Sequence, residues 1–100
     1  MPGSGYFYVI QLMPEAAPTW LKLGYTTDIA QRLRSHQTTC PTAKVLHTWP
    51  CLPRQERPAM EAMTSSACQK MGAEVFICTD LDTLLLQGER FFGQPYHTKQ

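Results

Sequence analysis

The stretch from Lys22 to His36, KLGYTTDIAQRLRSH, constrains the fold most, because a strand end, a glycine and a helix start follow one another without a spacer. Gly24 has no Cβ, so it permits a sharp turn or a close approach at the end of the strand. Asp28 is a good N-cap, and Gln31 stands three residues later, at the spacing of a capping box. We therefore predict a strand that leads directly into a helix over Ile29–Gln37.

The predicted helix has distinct faces. Ile29 and Leu33 are four residues apart and form an apolar stripe that faces the core. Arg32 and His36 are also four residues apart, and they share the adjacent face. Arg34 points roughly opposite Arg32 and is expected to face water.

The other segments alternate between strand and helix signals. Aromatic and β-branched residues predict a first strand over Tyr6–Leu12, and a short connection leads to a second over Trp20–Tyr25, which makes an antiparallel hairpin. A third strand is expected over Ala43–Trp49 and a fourth short one over Ala73–Cys78. The sequence thus predicts an α/β (α+β) domain with a central three-stranded antiparallel sheet flanked by helices.

Two further helices are predicted. The second helix has Pro58 in its first turn and Gly72 at its C-terminal end. Its core stripe would contain Met60, Met63, Ala67 and Met71. Thr79 or Asp80 is expected to cap the last helix, whose apolar face contains leucines 81, 84 and 85.

Chain length limits the protein to one hydrophobic core, since it has 100 residues. We expect a single domain over residues 6–92, a flexible head over residues 1–5 and a loose tail over residues 93–100. Nine basic and eight acidic residues leave a formal net charge of +1. A nucleic-acid site would therefore depend on local clustering of basic side chains rather than on overall charge.

The four cysteines, at positions 40, 51, 68 and 78, form no CxxC pair and no zinc-type Cys/His spacing. We expect them to be free thiols that pack as small apolar residues. No apolar run is long enough to span a bilayer, and the start of the sequence has no signal-peptide core. These features predict a cytoplasmic protein without a membrane partner.

The motifs of the first two strands and the first helix occur at the spacing of a known enzyme superfamily. Phe7-Tyr8 ends the first strand motif, and Lys22-Leu23-Gly24 ends the second. Helix-motif residues then follow at the expected offsets, namely Thr26, Asp28, Ile29, Arg32, Leu33 and His36. In these motifs the chain resembles the GIY-YIG nuclease superfamily. Because Lys22 replaces the tyrosine of the second motif, the chain resembles a phage-associated branch that has Lys-Ile-Gly in place of Tyr-Ile-Gly.

The later half of the chain matches that branch more loosely. The branch carries a glutamate on a later helix and a Gly-Glu-Trp-Phe-like strand, which Glu61 and the run Ala73-Glu74-Val75-Phe76 approximate. The usual histidine four residues after the glutamate is Ser65 here. The resemblance therefore covers residues 6–36 well and the chain beyond Ala43 only in part.

The resemblance implies a phosphodiester hydrolase with four catalytic residues. Tyr8 would orient or deprotonate water, and Lys22 would supply the positive charge that a phenol with a pKa of about 10 needs nearby. Arg32 would stabilise the negative charge of the transition state, and His36 would contact phosphate or assist proton transfer. Structural roles stay open for each: a core aromatic for Tyr8, an ion pair with Asp28 for Arg32, and a helix-dipole contact for His36.

Metal and substrate contacts follow from the same resemblance. Glu61 would bind Mg²⁺ or Mn²⁺, with Glu56 as a competing ligand, because these hard ions take one or two carboxylates and complete their shell with water and phosphate oxygens. An ordinary exposed acid remains the alternative for Glu61. The candidate substrate contacts are Tyr6, Tyr25, Thr26, Arg54 and Arg57.

The resulting hypothesis is a phage-like, metal-dependent endonuclease that hydrolyses DNA. Sequence specificity would come from this domain, a homodimer or a partner protein, since the sequence shows no second DNA-binding module. Two other classes stay open. One is a nucleic-acid-binding module without turnover, and the other is a phage-type protein-interaction regulator that uses Met60, Met63 and Met71 as a docking face.

Overall fold

The computed structural model describes residues 5–65 and 68–93. The predicted head and tail therefore lie outside the described residues, apart from Gly5 and Gly93. Among the described residues, no helix is long and apolar enough to cross a membrane. The elements in chain order are β1 (Gly5–Met13), β2 (Ala17–Thr26), α1 (Ile29–Gln37), β3 (Lys44–Cys51), a 3-10 turn (Pro53–Gln55), α2 (Glu56–Thr64), β4 (Cys68–Lys70), β5 (Val75–Cys78) and α3 (Leu81–Phe92).

The sheet has five strands in the order β3-β1-β2-β5-β4, and every neighbouring pair is antiparallel. The α+β class is confirmed, but the prediction of three strands is wrong. The predicted fourth strand joins the same sheet, since Trp20–Lys22 of β2 pairs with Val75–Ile77 of β5. The short strand β4 then pairs with β5 and forms one edge.

The second helix is shorter than the sequence predicts. It ends at Thr64, whose hydroxyl donates to the carbonyl of Met60 over 2.7 Å. Met63 is buried as expected, but Met71 lies beyond the helix and is 47% exposed. Ala67, the remaining member of the predicted stripe, lies outside the described residues. The helical spacing of apolar residues continues past the real end of the helix, so the sequence predicted a helix where β4 forms.

A disulfide joins Cys68 of β4 to Cys78 of β5, which corrects the prediction that all four cysteines are free. These residues are direct partners in the antiparallel ladder, and their Cα atoms are 4.2 Å apart. Such cross-strand neighbours lie at the separation of a non-hydrogen-bonded pair. Cys40 and Cys51 are the free cysteines among the described residues.

The sheet separates two apolar layers. Phe7 and Val9 of β1 point to the layer under α2 and α3, which also contains Met63 and Leu84. The intervening residues of β1 point the other way, toward α1, where Tyr8 and Ile10 pack with Ala43 and are covered by Ile29 and Leu33 of the helix. The period of two along a strand produces this division. The candidate site lies on the α1 side.

Candidate functional site

Tyr8 and Gly24 are direct partners across β1 and β2. Tyr8 is almost fully buried. A Cβ added to Gly24 would lie 2.7 Å from Oη of Tyr8 and 3.4 Å from Oε1 of Glu74. Because real Cβ atoms do not approach another heavy atom so closely, the position requires glycine for close approach rather than for its backbone freedom.

The start of α1 is fixed by hydrogen bonds from its own sequence. Oδ1 of Asp28 accepts from the backbone N–H of Gln31 over 3.0 Å, which confirms the predicted N-cap. The buried Thr26 contributes as well, since its hydroxyl oxygen accepts from the N–H of Asp28 over 3.1 Å. These contacts set the direction of the helix and thereby place Arg32 and His36 on the side of Tyr8.

Two nitrogen atoms on α1 are buried without a hydrogen-bond partner among the described residues, Nε of Arg32 and Nε2 of His36. Burial of a polar atom without a partner costs about 1–3 kcal/mol, so such atoms commonly mark a ligand site. Arg34, two residues from Arg32, is exposed and does not belong to this pair.

Lys22 lies close to the same two side chains. Burial first, and then the positive charges of Lys22 and Arg32, lower the pKa of His36 below its usual value of 6.5. The structure therefore brings Lys22, Arg32 and His36 together, in agreement with the sequence hypothesis about their location. Cationic side chains beside an imidazole with unpartnered nitrogens are an arrangement that can bind an anion.

Glu74 completes the group, although no functional role is predicted for this residue from the sequence. Nζ of Lys22 donates to Oε1 of Glu74 in an ion pair. The carbonyl oxygen of Glu74 also accepts from the N–H of Leu23 over 3.0 Å, so backbone and side chain both hold this residue beside β2. The sequence signal for Glu74 is its place in the Ala73–Phe76 run. Its contact with Lys22 joins residues 52 positions apart, so no local pattern predicts that contact.

Burial raises the pKa of Tyr8 to about 12. The positive charge of Arg32 opposes this rise, whereas the negative charges of Glu74 and Glu56 add to it. The Tyr8 hydroxyl is therefore a neutral phenol in the folded protein at neutral pH. In that form it can donate and accept hydrogen bonds, but it is a poor proton acceptor.

A cleft of about 460 Å³ opens beside this group, between the start of α2 and the β4–β5 hairpin. Its charged lining consists of two carboxylates, Glu56 and Glu74, and of three cations that we call the basic rim: Arg54, Arg57 and Lys70. Arg54 and Arg57 are two of the predicted substrate contacts, and that role stays a prediction; Lys70 was predicted to lie in the long second helix. Residues 5–65 and 68–93 contain no group of three or more His, Cys, Asp or Glu side chains arranged to hold a metal ion.

Three predicted contacts lie apart from the cleft. Glu61 is exposed on α2 and does not line the cleft, so its role in metal binding stays a prediction. Tyr25 packs against the apolar layer under α2 and α3, on the face of the sheet opposite Tyr8. Tyr6 is 43% exposed. Neither tyrosine lines the cleft, and their roles in substrate binding also stay predictions.

In the comparison with protein families, the model of the T5orf172 domain matches residues 5–91. This family is a different one from the GIY-YIG superfamily, although the two are related, so the assignment made from the strand and helix motifs is wrong. No curated protein and no solved structure matches the chain significantly.

Proposed function

Since the chain belongs to the T5orf172 domain family, which is phage-associated and nuclease-like, we propose that it is a metal-dependent endonuclease that hydrolyses phosphodiester bonds in DNA. The reaction needs a site for the phosphate, an activated water molecule and stabilisation of the charge that develops on the phosphate oxygens. The residues around Tyr8 support the first and third of these needs, a phosphate site and stabilisation of charge.

The buried, unpartnered nitrogens of Arg32 and His36 carry the proposal. A guanidinium remains charged at every working pH, and its planar set of N–H donors matches phosphate oxygens. Lys22 lies beside His36 and, although it pairs with Glu74, its remaining N–H donors could also contact an anion. A phosphate placed there would satisfy both buried nitrogens.

The charged lining of the cleft extends this site. The basic rim (Arg54, Arg57 and Lys70) would contact phosphates on either side of the scissile one. Because the rim and the proposed anion site share the Glu74 edge, a nucleic-acid strand could occupy both. This placement supports a nucleic-acid substrate rather than a small phosphate ester.

The carboxylates of the cleft fit a hard divalent cation. Mg²⁺ is commonly held by one or two carboxylates together with water and substrate phosphate oxygens, and Glu56 is available for this role. Glu74 already pairs with Lys22, so Glu56 is the better candidate of the two. When bound, the ion would polarise the phosphate and stabilise its developing charge.

The first test is cleavage of plasmid DNA in Mg²⁺ or Mn²⁺ by the wild-type protein and by matched arginine variants. Arg32→Ala should reduce the cleavage rate about 10²–10³-fold, because it removes the main donor to the transition state. Arg34→Ala should cleave like the wild type, since Arg34 is exposed on the same helix and lies outside the group. EDTA should abolish cleavage. Equal rates for Arg32→Ala and Arg34→Ala would reject the proposed site.

The two candidate metal ligands can be separated by the same assay. Glu56→Gln should require more Mg²⁺ for half-maximal cleavage, because Glu56 lines the cleft. Glu61→Gln should do so instead if the prediction from the sequence is right. A shift in neither variant would mean that another group holds the ion.

A nucleic-acid-binding module that does not cleave is the second candidate, and the neutral state of Tyr8 favours it. A pKa of about 12 makes the phenolate too scarce to act as a base near neutral pH. Salt-sensitive DNA binding that is lost in Arg32→Ala, without cleavage in any divalent metal, would select this function.

A further inference from the structure

The short strand β4 contributes to one wall of the cleft. Its last residue, Lys70, lines the cleft together with Ala73 and Glu74 of the segment that leads into β5. β4 has three residues and lies at the end of the sheet, where it pairs with β5. The position of Lys70 in the basic rim therefore depends on how firmly this edge strand is held against β5.

The non-covalent contacts of β4 are few among the described residues. Gln69 and Lys70 are exposed, and Cys68 is half-buried, so the strand gains little from apolar burial. At the turn, the N–H of Met71 donates to the carbonyl of Val75 over 2.8 Å. A hairpin that relies on backbone pairing alone is only marginally stable in water. The turn thus fixes the end of β4, and its beginning needs another attachment.

The Cys68–Cys78 disulfide supplies this attachment. Cys78 is buried in the apolar layer under α2 and α3, so the bond ties β4 to the core of the domain. Cys68 and Lys70 are two residues apart on one strand, so their side chains point to the same face of the sheet. The disulfide therefore fixes the strand in the register that places Lys70 at the cleft.

On the basis of the proposed function, we propose that the Cys68–Cys78 disulfide is a redox switch of the nucleic-acid site. The oxidised protein binds DNA with the complete basic rim, and the reduced protein binds DNA without the contact from Lys70. The reductant is a dithiol, either a small molecule or a protein with a reduced cysteine pair.

The switch operates by thiol–disulfide exchange. One thiolate of the dithiol attacks Sγ of Cys68, which forms a mixed disulfide and releases the thiolate of Cys78. The second thiolate of the dithiol then attacks its own sulfur in the mixed disulfide and releases Cys68. The dithiol loses two electrons and becomes a disulfide, while the two cysteines gain these electrons and take up the two protons that the dithiol gave to solvent.

Burial decides which sulfur reacts and which strand is released. Cys68 is half-buried at the sheet edge, whereas Cys78 is 2% exposed, so a thiolate from solvent reaches Cys68. After reduction, β5 still pairs with Trp20–Lys22 of β2. Reduction therefore loosens β4 and leaves Glu74 beside β2, so the change at the cleft is confined to the wall that contains Lys70.

The experiment measures binding of a fluorescent DNA duplex by anisotropy over a series of salt concentrations, in EDTA so that no cleavage occurs. The oxidised protein is compared with the same protein in dithiothreitol. Reduction should weaken binding, and the slope of log K against log salt should decrease in magnitude by about 0.9, because one phosphate contact is lost. Cys68→Ser should behave like the reduced protein and should not respond to dithiothreitol.

A lysine variant separates the switch from a general loss of stability. Oxidised Lys70→Ala should bind DNA as weakly as the reduced wild type, and dithiothreitol should weaken it no further. Arg54→Ala is the matched variant, since Arg54 lies on the 3-10 turn opposite the hairpin and its loss should leave the redox response intact. Cys40→Ala should bind and respond like the wild type, which excludes an effect of the half-buried free thiol.

Hydrogen exchange locates the change without DNA. The amide of Met71 donates within the β4–β5 hairpin, so its exchange should become faster after reduction. The amide of Leu23 donates to the carbonyl of Glu74 between β2 and the segment before β5, and its protection should remain. Equal protection of Met71 in both redox states would overturn the release of β4.

The outcomes distinguish the inference from the proposed function. DNA binding with the same salt slope in both redox states, or a redox response that persists in Lys70→Ala, would overturn the switch and leave the endonuclease in place. Absence of DNA binding and cleavage by the oxidised wild type would overturn both. Circular dichroism checks that each protein is folded at the assay temperature, and the reduced wild type provides the test if Cys68→Ser does not fold.

Discussion

Replacement of Gly24 by alanine tests the packing that holds Tyr8 and Glu74 together. The added methyl carbon would lie 2.7 Å from Oη and 3.0 Å from Cζ of Tyr8. An ordinary van der Waals contact needs about 3.4 Å, so the Tyr8 hydroxyl would have to move away by roughly 0.7 Å. Tyr8 is buried against α1, so its ring has little freedom to move away from the added methyl group.

The expected effect on stability is modest because two terms oppose each other. Overpacking a well-packed core costs about 1–3 kcal/mol, whereas alanine gains about 0.5–1 kcal/mol over glycine in a strand. The net loss should be about 1 kcal/mol, which lowers Tm by about 4–8 °C in a domain of this size. The effect on cleavage should be larger, since a displacement near 1 Å at a reacting group can reduce the rate about 10²-fold.

The assay combines thermal unfolding followed by circular dichroism with single-turnover DNA cleavage at a temperature where both proteins are folded. Gly72→Ala is the matched control, because a Cβ at Gly72 has no heavy atom within 4 Å and should lower neither Tm nor rate. Wild-type cleavage by Gly24→Ala with an unchanged Tm would show that Tyr8 and Glu74 do not converge above Gly24.

The remaining predictions concern stability and its dependence on conditions. Gly88→Ala should destabilise the protein by about 1–3 kcal/mol in urea unfolding, because its Cβ would lie 2.4 Å from the ring of the buried Trp49; an unchanged midpoint would refute this packing. The lowered pKa of His36 means that the unfolded chain binds a proton more readily than the folded one, so the unfolding free energy should fall as the pH drops below 6.5. His36→Gln should make that decrease shallower, and an identical slope in both proteins would contradict the burial of the imidazole. Reduction of the Cys68–Cys78 disulfide should lower the unfolding free energy by up to about 3 kcal/mol, measured as a lower Tm in dithiothreitol, and Cys68→Ser should be insensitive to the reductant.

The site combines two parts of the chain with different origins. Tyr8, Lys22 and Arg32 lie on consecutive elements of the first 37 residues, from β1 to α1. Glu74 and Glu56 come from the second half, and they reach the site only because β5 pairs with β2 and α2 begins at the edge of the cleft. The positions of Glu74 and of the proposed metal ligand Glu56 therefore depend on pairing between distant segments, whereas Lys22, Arg32 and His36 all lie within the first 37 residues.

Local chemistry was sufficient to predict the part of the site that lies between β1 and α1. Asp28 caps α1 through a hydrogen bond three residues along the chain, and the four-residue spacing of Arg32 and His36 follows from helix geometry. Gly24 indicated that another group approaches the strand closely at this position, because glycine lacks a Cβ. Each of these features depends on a few neighbouring residues, so it can be recognised from the sequence.

Only the tertiary structure decided the part of the site that comes from the second half of the chain. The methionine spacing predicted a helix that continued to Gly72, but pairing with β5 and the disulfide to Cys78 place Cys68 in a strand instead. The Lys22–Glu74 ion pair joins residues 52 positions apart, and no local pattern specifies it. The sequence by itself therefore determined the strand, the glycine and the capped helix that hold Lys22, Arg32 and His36. The partner of Lys22, the carboxylates of the cleft and the fifth strand were decided by contacts between distant segments, because sheet pairing is satisfied across the chain and not along it.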